Sequence, residues 1–230
     1  MRKLLIFVII LAGLLVAADR IGVVVADHEI AGHVQTAYHL PSKPSVSVHG
    51  FPFLTQVVSG HYDEIDVSTG QLTTQGVTVD HLVAALTGVR APMSDLMGHG
   101  SATISAAHVS GTATVPFASV RRRLPAGVQL SQDGSALRLS GKVSYLGLSL
   151  PVTADALLSP SGSGIAVTPT RIQVAHDGGA LSSLISGQFH FVVPVTGLPL
   201  HLSIKSVHVV PGGVRVGATA GNVSFRTSGQ

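Results

Sequence analysis

The turns of the second half constrain the fold more than any other feature of this chain. Asp133-Gly134, Pro160-Ser161-Gly162-Ser163-Gly164 and Pro211-Gly212-Gly213 each separate two runs rich in Val, Leu, Thr and Ser. An Asp-Gly pair between such runs is a strong hairpin signal, and Pro with Gly pre-forms a turn by fixing one φ and freeing the next. The pattern predicts strands over 128–132, 136–145, 148–158, 165–175, 200–210 and 214–225. Several long strands joined by short turns imply an antiparallel sheet. Upstream, Val46 and Val48 alternate with polar neighbours, as do Ile65 and Val67 with Glu64 and Asp66, and Leu72, Val77 and Val79 continue the text. Residues 102–115 also read as extended. Three short helices interrupt the strands: 80–87, with Asp80 as its cap and Leu82, Val83 and Leu86 as its apolar side; 117–124, stopped by Pro125; and 180–186, after Asp177-Gly178-Gly179.

The N-terminus has a different period. Met1-Arg2-Lys3 precedes fifteen uncharged, mostly apolar residues, Leu4 to Ala18, and Val16-Ala17-Ala18 is an acceptable small-residue cleavage site. A secretory signal over 1–18 is the first reading. An uncleaved membrane anchor is the second, and it would set Asp19 and Arg20 inside the apolar layer at considerable cost. Either way the chain is expected outside the cytoplasm, in the cell envelope. From Asp19 to Leu40, Val23, Ala26, Ile30, Val34 and Ala37 fall on one helical stripe, with His28, Glu29, Gln35, Thr36 and His39 opposite, and Pro41 ends the helix. One apolar face on a helix beside a long meander predicts a helix laid against a sheet. Residues 19–230 are expected to form a single domain.

Charge and composition remove several function classes. Charged residues are 11% of the chain, against about 25% in ordinary soluble domains, and the net charge is +3. Without Arg2 and Lys3, 12 basic residues face 11 acidic ones, and aromatics are only 4%. Nucleic-acid binding needs a concentrated basic surface with stacking aromatics, so no nucleic-acid partner is expected. The absence of cysteine excludes disulfides, thiolate metal sites and a lipoprotein anchor.

The stretch Pro44 to Gly60, PSVSVHGFPFLTQVVSG, carries the most specific text. Gly50 and Pro52 break regular pairing, so Phe51, Phe53 and Leu54 belong at a bend where apolar residues need cover. They either cap a core or open a cavity to an apolar ligand. Gly50-Phe51-Pro52-Phe53-Leu54, followed by Gly60-His61-Tyr62-Asp63-Glu64-Ile65-Asp66-Val67, resembles the signature of the LmeA-like phospholipid-binding family of actinobacterial envelope proteins. Members of that family resemble the tubular lipid-binding (BPI-like) superfamily. The tail from Val193 to Phe225, including Leu198-Pro199, is similar to the family's closing hairpin. The resemblance implies an α+β fold in which a long, strongly curved antiparallel sheet wraps the N-terminal amphipathic helix. It also implies a phospholipid or related envelope-lipid partner, with a role in envelope maintenance or glycolipid assembly.

Catalytic and metal chemistry find little support in the residues. Twelve histidines are present, but no H-E-x-x-H occurs. His28 and His33 are five apart, which sets them about 140° apart around a helix and not on one metal. Neither a metal nor a cofactor is expected. A lipid hydrolase would show G-x-S-x-G, which is absent, so no nucleophile can be nominated; phospholipase activity is implied only by the resemblance. Asp63, Glu64 and Asp66 form the densest acidic group, with Glu64 and Asp66 on one strand face and Asp63 on the other. The group reads either as flanking a reaction centre or, favoured by the alternation with Ile65 and Val67, as a solvated outer face. Arg121-Arg122-Arg123, beside Phe117 and Leu124, is the only basic run. It reads either as a solvated helix end or as a contact to anionic head groups at a membrane surface.

Taken together, these features predict an exported protein that binds an envelope lipid in an apolar groove for transfer or presentation. Phe51, Phe53, Leu54, Ile30 and Val34 are the expected lipid contacts, and Arg121, Arg122 and Arg123 the expected membrane-surface contacts. A phospholipase on the same scaffold, or a structural envelope protein with a closed core, are the other two readings.

Overall fold

A computed structural model of the chain describes residues 1–37, 39–74, 77–91, 102–122, 124, 127–134, 136–145, 148–161, 164–174, 191–194 and 202–227. The elements run in chain order as α1 (Arg2–Ala37), β1 (Ser45–His49), α2 (Phe53–Ser59), β2 (His61–Thr69), β3 (Leu72–Thr74), β4 (Val77–Arg90) and β5 (Ala102–Pro116). They continue as α3 (Phe117–Arg121), β6 (Gln129–Asp133), β7 (Ala136–Tyr145), β8 (Leu148–Ser161), β9 (Gly164–Val174), β10 (Phe191–Pro194), β11 (Ser203–Val210) and β12 (Gly213–Thr227). Among the described residues these strands form two antiparallel sheets. One has the order β1-β2-β4-β5-β12-β11, with β3 beside β4; the other has the order β10-β9-β8-β7-β6.

The chain divides into two compact units. The first comprises Met1–Leu72, Leu82–Gly111 and Ala220–Gln230; the second comprises Thr73–His81 and Thr112–Thr219. Strands β4, β5 and β12 each contribute to both.

In the first unit α1 packs on β1 and α2. The expected stripe is the docked one: Val23, Ala26, Ile30 and Val34 are half-buried and Ala31 is buried, whereas His28, Glu29 and Thr36 are exposed. Two carboxylates on α1 fasten it. Asp27 Oδ1 accepts the main-chain N–H of Val48 at 2.8 Å, on the edge strand, and Asp19 Oδ1 accepts the N–H of Leu54 at 2.8 Å, in the first turn of α2. Both donors lack a partner within their own element, one at a sheet edge and one at a helix start, so each bond satisfies an otherwise orphaned group. A third clamp comes from Gln56, which is buried: its Oε1 accepts the N–H of Asp63 at 2.9 Å and its Nε2 donates to the carbonyl of His49 at 3.3 Å. Gln56 thereby ties the end of β1 to the start of β2 across the α2 connection. Gly60 closes α2 in a left-handed conformation, φ 67°, with its N–H returned to the Val57 carbonyl.

The second unit is built from the predicted hairpins. β6 and β7 pair with Asp133 opposite Ala136, β8 and β9 with Ser161 opposite Gly164, and β11 and β12 with Val210 opposite Gly213. Pro211-Gly212 forms the last turn, with Gly212 at φ 86°, the positive value that a Pro-Gly turn requires. Gly213 follows because no side chain fits there; a Cβ would sit 2.5 Å from the carbonyl oxygen of Val115. The core joins Phe117 of α3 to Leu130, Leu137, Leu139, Ala156, Val167, Val207 and Val214. Asp155 on β8 lies directly opposite Arg138 on β7 and Arg171 on β9. Its carboxylate accepts from Arg138 Nε at 2.8 Å and from Arg171 at 3.4 Å. The hydrogen bond from Arg138, aided by the charges of both arginines against the cost of burial, holds the Asp155 carboxyl below its ordinary value.

Three expectations are corrected. Neither sheet is strongly curled, so α1 is packed against a sheet and not wrapped by one. The physical reason is layering: α1 covers the sheet's β1 edge in the first unit, and α3 and the hairpins fill a core in the second, so burial is achieved without coiling one sheet. Residues 80–87 are strand and not helix, because they lie within β4, where Leu82, Val83 and Leu86 pair with Thr69, Ser68 and Ile65 of β2. A short apolar run fits either period, and the available β2 edge decides it. The bend after Gly50 is a helix start, since Phe53–Ser59 forms α2. The helix expected at 180–186 and the Leu198-Pro199 pair lie outside the described residues.

Asp27→Ala is expected to cost about 1–2 kcal/mol by orphaning the Val48 N–H, lowering the thermal midpoint by about 2–8 °C in a scanning calorimetry or circular dichroism melt. The Asp155 cluster predicts an acid dependence. Because its carboxyl titrates lower folded than unfolded, its contribution is complete above the unfolded value of about 3.9 and disappears as pH falls through the folded one. The wild-type melting midpoint should therefore drop more steeply between about pH 5 and 2.5 than that of Asp155→Asn.

Candidate functional site

The site begins with a mismatch of sizes where α1 meets α2. Gly22 on α1 carries no side chain, and the ring of Phe53 approaches to within 3.4 Å of where its Cβ would be, with Leu54 at 3.6 Å. Phe53 is buried and stacks in a tilted arrangement on Tyr62 of β2, ring centroids 6.4 Å apart. Ala18 and Ala26, each about one turn away on α1, are also small. Beside this close contact runs an open groove of about 650 Å³ lined by Ala18, Ile21, Gly22, Val25, Ala26, Glu29, Ile30, Phe53, Val57 and Tyr62. All of these residues belong to the first unit.

The groove is apolar almost throughout. Among the described lining residues, Glu29 and Tyr62 carry its only polar side chains. Burial pushes the Tyr62 phenol above its ordinary value, so it stays a neutral donor throughout the physiological range. On the same stretch of α1, the Arg20 guanidinium lies 5.1 Å above the centre of the Phe51 ring and 2.9 Å from the Asp19 carboxylate. Phe51 itself is 62% exposed, with Val58 at 87% and Leu54 at 40%. These three form an outward apolar face beside the groove, which the carboxylate of Asp19 holds in place from beneath.

The sequence-derived lipid contacts divide three ways. Phe53 and Ile30 line the groove; Phe51 and Leu54 stand on its outer face; Val34 lies farther along the docked stripe of α1 and is not among the lining residues. Phe53 is 5% exposed, so an acidic substitution there would break the packing of α2 before it altered any groove. Arg121 and Arg122 are exposed at the end of α3, where Arg122 donates to the Ala118 carbonyl at 3.4 Å, while Phe117 and Leu124 are packed in the second unit's core. Arg123 lies outside the described residues. Asp66 pairs with His49 at 3.0 Å on the exposed side of β2.

Sequence reasoning missed Ile21, Gly22, Val25, Val57 and Tyr62 as lining residues, and Asp19, Asp27 and Gln56 as the groups that hold the walls. Gly22 carried a readable signal, being a glycine inside an amphipathic helical pattern, which often marks close packing. Among the described residues no group of three or more His, Asp or Glu could hold a metal ion. α1 as a whole is long and apolar enough to cross a membrane, consistent with a signal sequence or a membrane anchor.

Comparison with curated proteins and with solved structures gives no match. A family model does match, over residues 17–219, and that span contains the whole groove. By that match the chain belongs to the LmeA-like phospholipid-binding family.

Proposed function

We propose that the groove between α1 and the α2–β2 segment binds an acyl chain of a phospholipid or related envelope lipid, for transfer or presentation outside the cytoplasm. The observation that carries this reading is a groove of about 650 Å³ whose walls are apolar apart from one carboxylate and one phenol. That volume falls inside the range of about 300–1,000 Å³ typical of small-ligand sites. Burial of hydrocarbon contributes about 0.8 kcal/mol per methylene, so about ten methylenes give roughly 8 kcal/mol, of the order of micromolar affinity before ordering costs. Such a site needs no polar motif, in keeping with a chain in which no catalytic fingerprint is found. Glu29 and Tyr62 are the groups that can meet the polar end of the lipid, Tyr62 as donor and Glu29 as acceptor. The family's name points to the same ligand class.

The groove can be filled without disturbing the clamps around it. Val57 is a half-buried lining residue on α2 whose side chain makes none of the fastening bonds. Val57→Trp is expected to reduce co-purified lipid at least about ten-fold in native mass spectrometry, with the circular dichroism spectrum unchanged. Undiminished lipid in a folded Val57→Trp protein would place the ligand elsewhere and defeat this reading.

A further inference from the structure

The apolar text of α1 is too short for a membrane span if it ends at Ala18. Fifteen residues, Leu4 to Ala18, rise about 22 Å, against a hydrocarbon thickness of about 30 Å. The exposed side of the helix tells a different length. Leu14 and Ile21 are seven apart and Val25 four further on, so they fall on one line; Ile21, Val24 and Val25 are 65%, 69% and 57% exposed. From Leu4 up to His28 and Glu29 the exposed side carries one charge, that of Arg20, whose side chain is 54% exposed. From Leu4 to Val25 the outward wall is therefore 22 residues and about 33 Å long.

The two charges inside that interval do not face outward as a bare pair. Asp19 is 2% exposed and turned under α2, where it accepts the Leu54 N–H. Arg20 pairs with it at 2.9 Å and lies over the Phe51 ring. Charges in an apolar layer persist when they are paired and directed toward protein. α2 contributes no charge of its own between Phe53 and Ser59, and it leaves Leu54 and Val58 exposed, as α1 leaves Ile21, Val24 and Val25. Both helices thus leave large apolar side chains open, and exposed apolar surface of this kind marks an interaction surface.

We propose that α1 is retained as a membrane anchor with an apolar wall from Leu4 to Val25, and that Phe51, Leu54 and Val58 of the α2 segment enter the adjoining leaflet beside it. Lipid bilayer is the occupant that fits this surface. The wall matches the membrane's thickness, Arg2 and Lys3 stand at its start where positive residues remain on the cytoplasmic side, and polar residues stand at its other end. The anchor and the groove then share α1, so the groove's mouth lies at the leaflet. The inference does not require the groove to be filled, and the two ideas can fail separately.

The chain contains no cysteine, so single labels can be placed cleanly. The full chain is produced in an exporting bacterial host, extracted from membranes and its intact mass measured. V58C and S224C are each labelled with an environment-sensitive fluorophore and reconstituted in phosphatidylcholine–phosphatidylglycerol vesicles with nitroxide-bearing acyl chains. Ser224 is exposed on β12, four strands from β1 in the first unit and so about 19 Å away. The expected result is a mass that includes residues 1–18 and a loss of emission of about two-fold or more at position 58, with position 224 nearly unchanged. A membrane-bound chain beginning at Asp19 overturns the retained anchor. Equal emission loss at both positions, or none at 58, overturns the immersion of α2. A blue shift at 58 that tracks protein concentration without quenching assigns the patch to a second copy and also overturns it. Val57→Trp should leave these readouts unchanged while removing lipid, which separates this result from the groove reading.

Discussion

Two carboxylates on one helix, each taking a main-chain N–H from another element, hold the first unit together. Asp19 and Asp27 are eight residues apart and reach two different neighbours, Asp19 the first turn of α2 and Asp27 the edge strand β1. A seven-residue helix such as α2 is far below the length at which helix formation is self-sustaining, and Pro52 at its start supplies no side-chain cap. Its first-turn donor is satisfied instead by Asp19, from a different helix. α2 is thus an element that exists through its contact with α1, and the groove between them inherits that dependence. Because the acceptors are charged and the donors are backbone amides, the bonds are stronger than neutral ones and insensitive to the identity of the donor's side chain.

This arrangement explains which parts of the molecule could be read in advance. The hairpins were legible because their turns are local chemistry: Asp133-Gly134 and Pro211-Gly212 need nothing beyond their own φ values. The docked stripe of α1 was legible through its period, and Phe53 and Ile30 as lining residues followed from the bend and that stripe. What could not be read was anything decided by a distant partner. Residues 80–87 satisfy a helical period and become strand only because β2 offers an edge with Thr69, Ser68 and Ile65 in register. Asp19 looked like a charge just beyond an apolar run and is in fact the cap of a helix 34 positions downstream. The strong curvature expected from family resemblance failed for a related reason, since burial is shared among helix, hairpins and two sheets in a way that no single strand announces.

The small residues of α1 set the character of the groove. Ala18, Gly22 and Ala26 recur every four positions, lining one side of the helix with almost no side-chain volume. Phe53 lies directly against Gly22, while Val57 and Tyr62 complete the facing wall on elements held by the Asp19 and Gln56 bonds. The space beside them is a groove open at the surface and not an enclosed void. Here the backbone is fixed by hydrogen bonds on three elements, so the space persists. The same restraint leaves Phe51, Leu54 and Val58 facing outward, because α2 cannot roll to bury them without breaking the bond at Leu54.

Under the proposed lipid reading, the energetics of such a groove favour exchange over storage. A lipid tail entering it from water gains the full hydrophobic term, but a tail entering from a bilayer leaves an environment as apolar as the groove itself. The net gain is then set by the polar end of the ligand and by the partial exposure that an open groove allows, not by the number of methylenes. A carrier floating free in water would be required to draw a tail across an aqueous gap, and every methylene would oppose that step. A groove held at the leaflet by its own helix avoids the gap, so the barrier to loading falls while the equilibrium remains near balance. In the proposed reading, the docking of α1 by Asp19 therefore has two consequences from one bond: it shapes an apolar recess, and it turns away from the membrane the charge that would keep that recess out of reach.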